Sequence, residues 1–144
     1  MLEASLLHQL KRGCKLLNLT LLDEQYDRLV AYVMLLHKWN KVYNLTSVRD
    51  PEQMMARHII DSLSVLPYIS STSLLDVGTG GGLPGVPVAI CQPQTRVTLL
   101  DSHSKQPRFL QQVQSELALE KGEVVHGMFL QHKLSHTAAG PGRA

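Results

Sequence analysis

The sequence has little that would place the chain in a membrane or outside the cell. No apolar run approaches the roughly 20 residues that a membrane-spanning helix needs. Near the N-terminus the basic residues follow a short, interrupted apolar stretch, which is the reverse of the order in a signal peptide. Cys14 and Cys91 stand alone without a C-x-x-C pair, so we interpret both as reduced thiols. These absences predict a cytoplasmic protein that contacts no membrane.

The sequence also has a small net charge and no pattern of metal-ligating residues. A formal net charge of +2 neither announces nor excludes a nucleic-acid partner, because a local basic patch fits within a balanced total. His126, His132 and His136 have no carboxylate or cysteine at the spacing of a tetrahedral metal site, so we predict no metal site. At 144 residues, 44% of them hydrophobic, the chain has the size and composition of one globular domain. These features do not determine its oligomeric state.

The first 72 residues follow a helical pattern and form a predicted N-terminal helical extension. Thr20 and Asp23 resemble a capping pair, and apolar residues recur at three- and four-residue steps from about 21 to 41. A second helix is predicted from Asp50 as N-cap and Pro51 as the first helical residue to about residue 66. The residues between the two helices are expected to form a loop.

From residue 73 the pattern changes to strand, glycine loop, helix, strand and helix. The strands are predicted near 74–75 and 96–101, and the helices near 84–91 and 104–119. This order predicts an α/β fold with a parallel sheet, in which ligands bind at the carboxyl ends of the strands. Residues 121–144 form a tail, in which 122–125 would supply one more strand.

The segment 74–85 reads LLDVGTGGGLPG and fits two nucleotide-binding patterns. From Gly80 it matches G-x-G-x-x-G, the dinucleotide pattern, and from Asp76 it matches D-x-G-x-G-x-G. The Gly80 frame would put Asp76 inside a strand covered on both faces, where an unpaired carboxylate is costly. The other frame ends the strand near Leu75 and expects a ribose-binding carboxylate at the end of the next strand, where Asp101 stands. This frame favours an adenosine-containing ligand.

Several ordered motifs stand along the chain: NLTSVRDP at 44–51, RHIIDS at 57–62, the glycine segment 74–85, LLDS at 99–102, and Lys105, Arg108, Phe109 and Leu110. Over about residues 21–120 they resemble the bacterial ribosomal RNA small-subunit methyltransferase G family, also called glucose-inhibited division protein B. The resemblance implies an α/β, class I S-adenosylmethionine-dependent methyltransferase fold with a Rossmann-like parallel sheet. It also implies methylation of guanine N7 in 16S ribosomal RNA with S-adenosyl-L-methionine as the methyl donor. On matching positions Gly78 and Leu83 would contact the cofactor, Gly80 would shape the loop and Asp101 would bind the ribose.

Methylation of guanine N7 needs no general base, because N7 already presents a lone pair and the sulfonium is an activated leaving group. We therefore nominate no catalytic residue. Candidates for the RNA side lie in a helix-start loop and on a helix face of mixed charge. They are Asn44, Arg49, Arg57, His58 and Asp61. Structural alternatives remain open. Arg57 and Asp61 are four residues apart on a helix, the spacing of a solvated ion pair, and a lone histidine such as His58 usually has a structural role.

After Glu120 the family pattern is no longer recognisable. Residues 73–120 would then form the first half of the methyltransferase domain, and 121–144 a divergent tail. We expect an incomplete sheet with its first strand at an exposed edge, a truncation or frame change near Lys121, and impaired activity. Two alternatives are a non-catalytic RNA-binding or interaction fragment and, in the Gly80 frame, an NAD-dependent oxidoreductase.

Overall fold

The computed structural model describes residues 1–69, 73–77, 85–101, 106–117 and 123–126, with helices first and an α/β unit after them. Among these residues, no helix combines the length and the apolar character that crossing a bilayer requires. The predicted site residues Gly78, Gly80 and Leu83, and the tail residues His132 and His136, lie outside the described residues. The elements are α1 (Leu2–Leu16), α2 (Asp23–Tyr43), α3 (Pro51–Met54), a π-helix (Met55–Ile60), α4 (Asp61–Leu63), a 3-10 turn (Leu66–Tyr68), β1 (Ser73–Val77), α5 (Gly85–Cys91), β2 (Arg96–Asp101), α6 (Gln106–Glu116) and β3 (Glu123–His126).

The three strands form one parallel sheet in the order β1-β2-β3. Strand β3 comes from the tail, close to the predicted position, and pairs with β2 so that His126 lies opposite Asp101. Within the described residues β1 is an edge strand. The prediction that β1 ends near Leu75 is wrong, because the longer partner β2 pairs with it through Val77, and Asp76 lies inside the strand opposite Leu99.

Helix α2 begins differently from the prediction. Its N-cap residue is Leu22, whose N–H donates to Oε1 of Gln25 at 2.8 Å, so the proposed capping pair of Thr20 and Asp23 is wrong. The amide nitrogen of the same buried Gln25 donates to the carbonyl oxygens of Ile90 and Cys91 in α5, at 3.3 and 3.2 Å. A tertiary contact therefore fixes this helix start, and the local sequence pattern does not contain it.

The third helical segment begins as the sequence predicts. The Asp50 carboxylate accepts the N–H of Glu52 at 3.1 Å, and Pro51 occupies the first helical position. The segment ends at Leu63, a few residues earlier than expected. Its middle is a π-helix, which no sequence pattern indicated and which commonly accompanies functional sites.

Apolar side chains from the helical layer and the α/β unit share one buried cluster. The predicted apolar face of α6 is buried, and it includes Phe109, whose ring centroid lies 6.3 Å from that of Tyr32 and 5.7 Å from that of Trp39. The side-chain amide of Gln92 also donates to the carbonyl oxygen of Leu66 at 3.3 Å. The helices of the first 69 residues therefore pack directly on the α/β unit.

Candidate functional site

The carboxyl ends of β1 and β2 lie side by side. Val77, the last residue of β1, pairs with Leu100, and Asp101 follows one position later at the end of β2. The glycines follow β1 in the sequence, and α5 begins at Gly85. Parallel α/β folds bind ligands at such an edge, so the backbone places Asp101 where the sequence analysis expects a ligand carboxylate.

A second group of predicted residues surrounds the loop 44–50, which joins α2 to α3. Asn44 ends α2 in the left-handed region, with φ 51° and ψ 55°, a conformation that asparagine tolerates better than most residues. Its side-chain oxygen accepts a hydrogen bond from Nη2 of Arg49 at 3.1 Å. Two of the five RNA-side candidates are therefore brought together at the two ends of one exposed loop.

The buried side chain of Asn40 is hydrogen-bonded to the backbone of this loop. Asn40 is 2% exposed, its Oδ1 accepts the N–H of Thr46 at 2.8 Å, and its Nδ2 donates to the carbonyl oxygen of Val48 at 3.4 Å. The sequence analysis missed Asn40. The available signal was an amide at position 40 in the buried stripe that includes Val33 and Leu36, where an apolar residue is expected.

The loop is also joined to the π-helix. Oγ1 of Thr46 lies 2.9 Å from Nε2 of His58 and accepts the N–H of Val48 at 3.1 Å. The hydrogen bond between Thr46 and His58 forms with either ring tautomer, because the hydroxyl both donates and accepts. Burial lowers the pKa of His58 below its ordinary value and so favours the neutral ring, although a hydrogen bond with the Arg57 backbone opposes this effect.

Arg57 and Asp61 flank His58 and are both exposed. Their charges act on the histidine in opposite directions, because the Arg57 guanidinium lowers the His58 pKa and the Asp61 carboxylate raises it. In the described part of the chain no ion pair joins Arg57 to Asp61. The π-helix therefore carries an exposed guanidinium beside the half-buried imidazole that contacts Thr46, and α4 begins with the exposed carboxylate of Asp61.

The sequence of this chain was compared with known proteins. The family model described as rRNA small subunit methyltransferase G matches residues 25–136, most of the chain. The chain belongs to this methyltransferase family. The match includes the loop 44–50, the π-helix and all three strands, and it continues past Glu120, where the sequence motifs stop.

Curated members of the methyltransferase G family are similar over most of this chain. A protein of this name from Marinobacter nauticus is 54% identical over 119 residues, which are 83% of this chain and 56% of that protein. The corresponding values are 50% over 118 residues (82% and 56%) for Pseudomonas syringae pv. tomato and 53% over 120 residues (83% and 58%) for Escherichia coli K12. The chain thus spans somewhat more than half the length of these relatives.

Proposed function

We propose that this chain binds S-adenosyl-L-methionine at the carboxyl edge of β1 and β2 and acts in the methylation of guanine N7 in 16S ribosomal RNA, in the cytoplasm. The observation that carries the proposal is the parallel pairing of the two strands. It brings the end of β1, which the glycine segment follows in the sequence, beside the end of β2, where Asp101 stands, and the two strand ends are separated by more than twenty residues of sequence. The fold would be the first half of a class I methyltransferase, residues 73–120, covered by the helical extension 1–72.

The residues at this edge suit a nucleoside ligand. A carboxylate at the end of the second strand accepts hydrogen bonds from ribose hydroxyls, which is the proposed role of Asp101. Gly78 and Gly80 would let the backbone approach the ligand closely, and Leu83 would add an apolar contact. The bound cofactor would supply an activated methyl group, and the chain's own task would be to hold the two reactants in line.

The RNA side would be formed by the loop 44–50 and the π-helix. Arg49 and Arg57 are exposed guanidiniums suited to phosphate oxygens, and Asn44 and Asp61 offer hydrogen-bonding groups to a base edge. His58 would hold the loop through Thr46, as a neutral ring. None of these groups needs to remove a proton, because N7 of guanine carries none.

Ligand binding is tested by thermal unfolding of the whole chain with S-adenosylmethionine, S-adenosylhomocysteine or NAD. A ligand at a hundredfold excess over its dissociation constant stabilises the folded state by about 2.7 kcal/mol. We expect this upward shift with the two adenosyl ligands, and its loss in Asp101→Asn. Asp27→Asn, which neutralises an exposed carboxylate on α2, is the matched control and should keep the shift. A shift with NAD alone would favour the oxidoreductase reading.

Methyl transfer is tested separately with radiolabelled S-adenosylmethionine and small ribosomal subunits whose 16S RNA lacks the N7 modification. We expect label in the RNA, released by the cleavage chemistry specific for N7-methylguanine. RNA binding and cofactor binding without incorporation of label would instead indicate the non-catalytic RNA-binding function.

A further inference from the structure

The outward face of α1 is basic. His8, Lys11, Arg12 and Lys15 are all exposed, and they lie within an arc of about 100° when about 3.6 residues complete a helical turn. The single acidic residue of α1, Glu3, is in its first turn, away from these four residues. Within the described residues none of the four side chains forms an ion pair, and Nζ of Lys11 lies 5.5 Å from the ring centroid of Tyr26. We call these four side chains the α1 basic face.

The opposite face of α1 is fixed against the protein. Leu6, Leu10 and Cys14 are buried in the core, so this helix has no apolar face left to insert into a lipid surface. Gly13 allows an unusually close approach, because a Cβ at this position would lie 2.6 Å from Cδ1 of Ile60 in the π-helix. The α1 basic face is therefore held at a defined position next to the segment that carries Arg57 and His58.

A groove of about 410 Å³ is lined by residues of α1, α3 and the π-helix. His8 and Arg12 line it from α1, and Glu52 lines it from α3. The side-chain carboxylate of Glu52 accepts a hydrogen bond from the Ser5 hydroxyl at 3.0 Å. The backbone carbonyl oxygen of Glu52 accepts one from the side-chain amide of Gln9 at 2.9 Å. The groove's carboxylate is thus engaged by a neutral donor, whereas the guanidinium of Arg12 is left for an outside anion.

We propose that the α1 basic face binds phosphates of ribosomal RNA and extends the RNA-side site beyond the loop 44–50 and the π-helix. This inference rests on the proposed function, since ribosomal RNA is the polyanion that the chain would meet. Helix α1 precedes residues 25–136, so the family match does not assign it a role. Contacts of this kind position an RNA and add affinity without reading its sequence.

The test is the salt dependence of binding between the whole chain and purified 16S ribosomal RNA, measured by filter binding. The variant R12Q/K15Q removes two charges from the face. Each lost phosphate contact reduces the slope of log K against log salt by roughly 0.7 to 0.9, so we expect a reduction of about 1.5 and at least about tenfold weaker binding at low salt. The charge-preserving variant R12K/K15R should bind as the original chain does.

The matched control is K38Q/K41Q, which removes the same charge from exposed positions on α2. If it weakens binding as much as R12Q/K15Q does, the effect is one of net charge and the α1 assignment is overturned. Unchanged RNA binding by R12Q/K15Q also overturns the α1 assignment. The proposed function still stands in that case if the original chain binds RNA and is stabilised by S-adenosylmethionine. If the original chain binds vesicles of phosphatidylglycerol and not RNA, both the α1 assignment and the RNA part of the proposed function fail.

Discussion

Asn40 is expected to determine the conformation of the loop 44–50, and Asn40→Ala tests this. The substitution leaves the N–H of Thr46 without its 2.8 Å partner in a site where Asn40 is 2% exposed, which costs about 1 to 3 kcal/mol. The second hydrogen bond, to the carbonyl oxygen of Val48, is long at 3.4 Å and adds little. We therefore expect the free energy of unfolding to fall by about 2 kcal/mol.

Urea unfolding of the whole chain, followed by circular dichroism, measures this loss. Gln53→Ala is the matched control, because Gln53 is an exposed amide on α3, and such surface changes alter stability by about 0.5 kcal/mol or less. RNA binding through Arg49 should also weaken in Asn40→Ala at temperatures where the chain remains folded, since the loop that positions Arg49 is released. A loss no larger than that of Gln53→Ala would refute the reasoning.

Three further predictions concern helices of both the N-terminal layer and the α/β unit. Gly13→Ala should destabilise the chain by about 1 kcal/mol through overlap with Ile60, whereas in an Ile60→Ala background it should stabilise by about the same amount through helix propensity; urea unfolding of all four variants checks both signs. Because the folded-state pKa of His58 lies below its ordinary value of 6.5, the unfolded chain takes up the proton first, so stability should fall as pH drops below about 6.5, and less so in His58→Gln. Burial raises the pKa of the partly buried Cys91 thiol to about 12 and also raises that of the fully buried Cys14. A thiol reagent at pH 8 should therefore label Cys91 slowly and Cys14 only after urea unfolds the chain; rapid labelling of Cys14 in the folded chain would contradict its buried placement.

The α/β unit was predictable because its signals are local. Apolar runs that end in glycine or aspartate place β1 and β2, and the apolar face of α6, including Phe109 and Val113, follows from helical periodicity. The end of β1 was misplaced because a strand's length depends on its partner, and β2 pairs with it through Val77. The predicted helical extension 1–72 included no bounds for α1, although Leu2, Leu6 and Leu10 recur every four residues, which is a helical signal.

The group of residues proposed to face the RNA was predictable only in part. The motifs identified Asn44, Arg49 and His58, and the structure places them around one loop. They did not identify Asn40 or Thr46, which connect these residues, because a buried amide and a bridging hydroxyl acquire their roles only when α2, the loop and the π-helix meet. The π-helix could not be predicted from local sequence either, because no residue in MARHII excludes an ordinary α-helix.

Helix α2 connects the loop 44–50 to the α/β unit. Near its start Gln25 binds the end of α5, the helix that follows the glycine segment, and near its end Asn40 holds the loop 44–50. These two residues are about 22 Å apart along the axis, at about 1.5 Å per residue, and Tyr32 and Trp39 between them pack on Phe109. Gln25 contacts the C-terminal end of α5, so one helix fixes the loop 44–50 relative to α5. A change at Gln25 should act first on the packing of α5, and one at Asn40 first on the conformation of the loop 44–50 and on the proposed RNA binding.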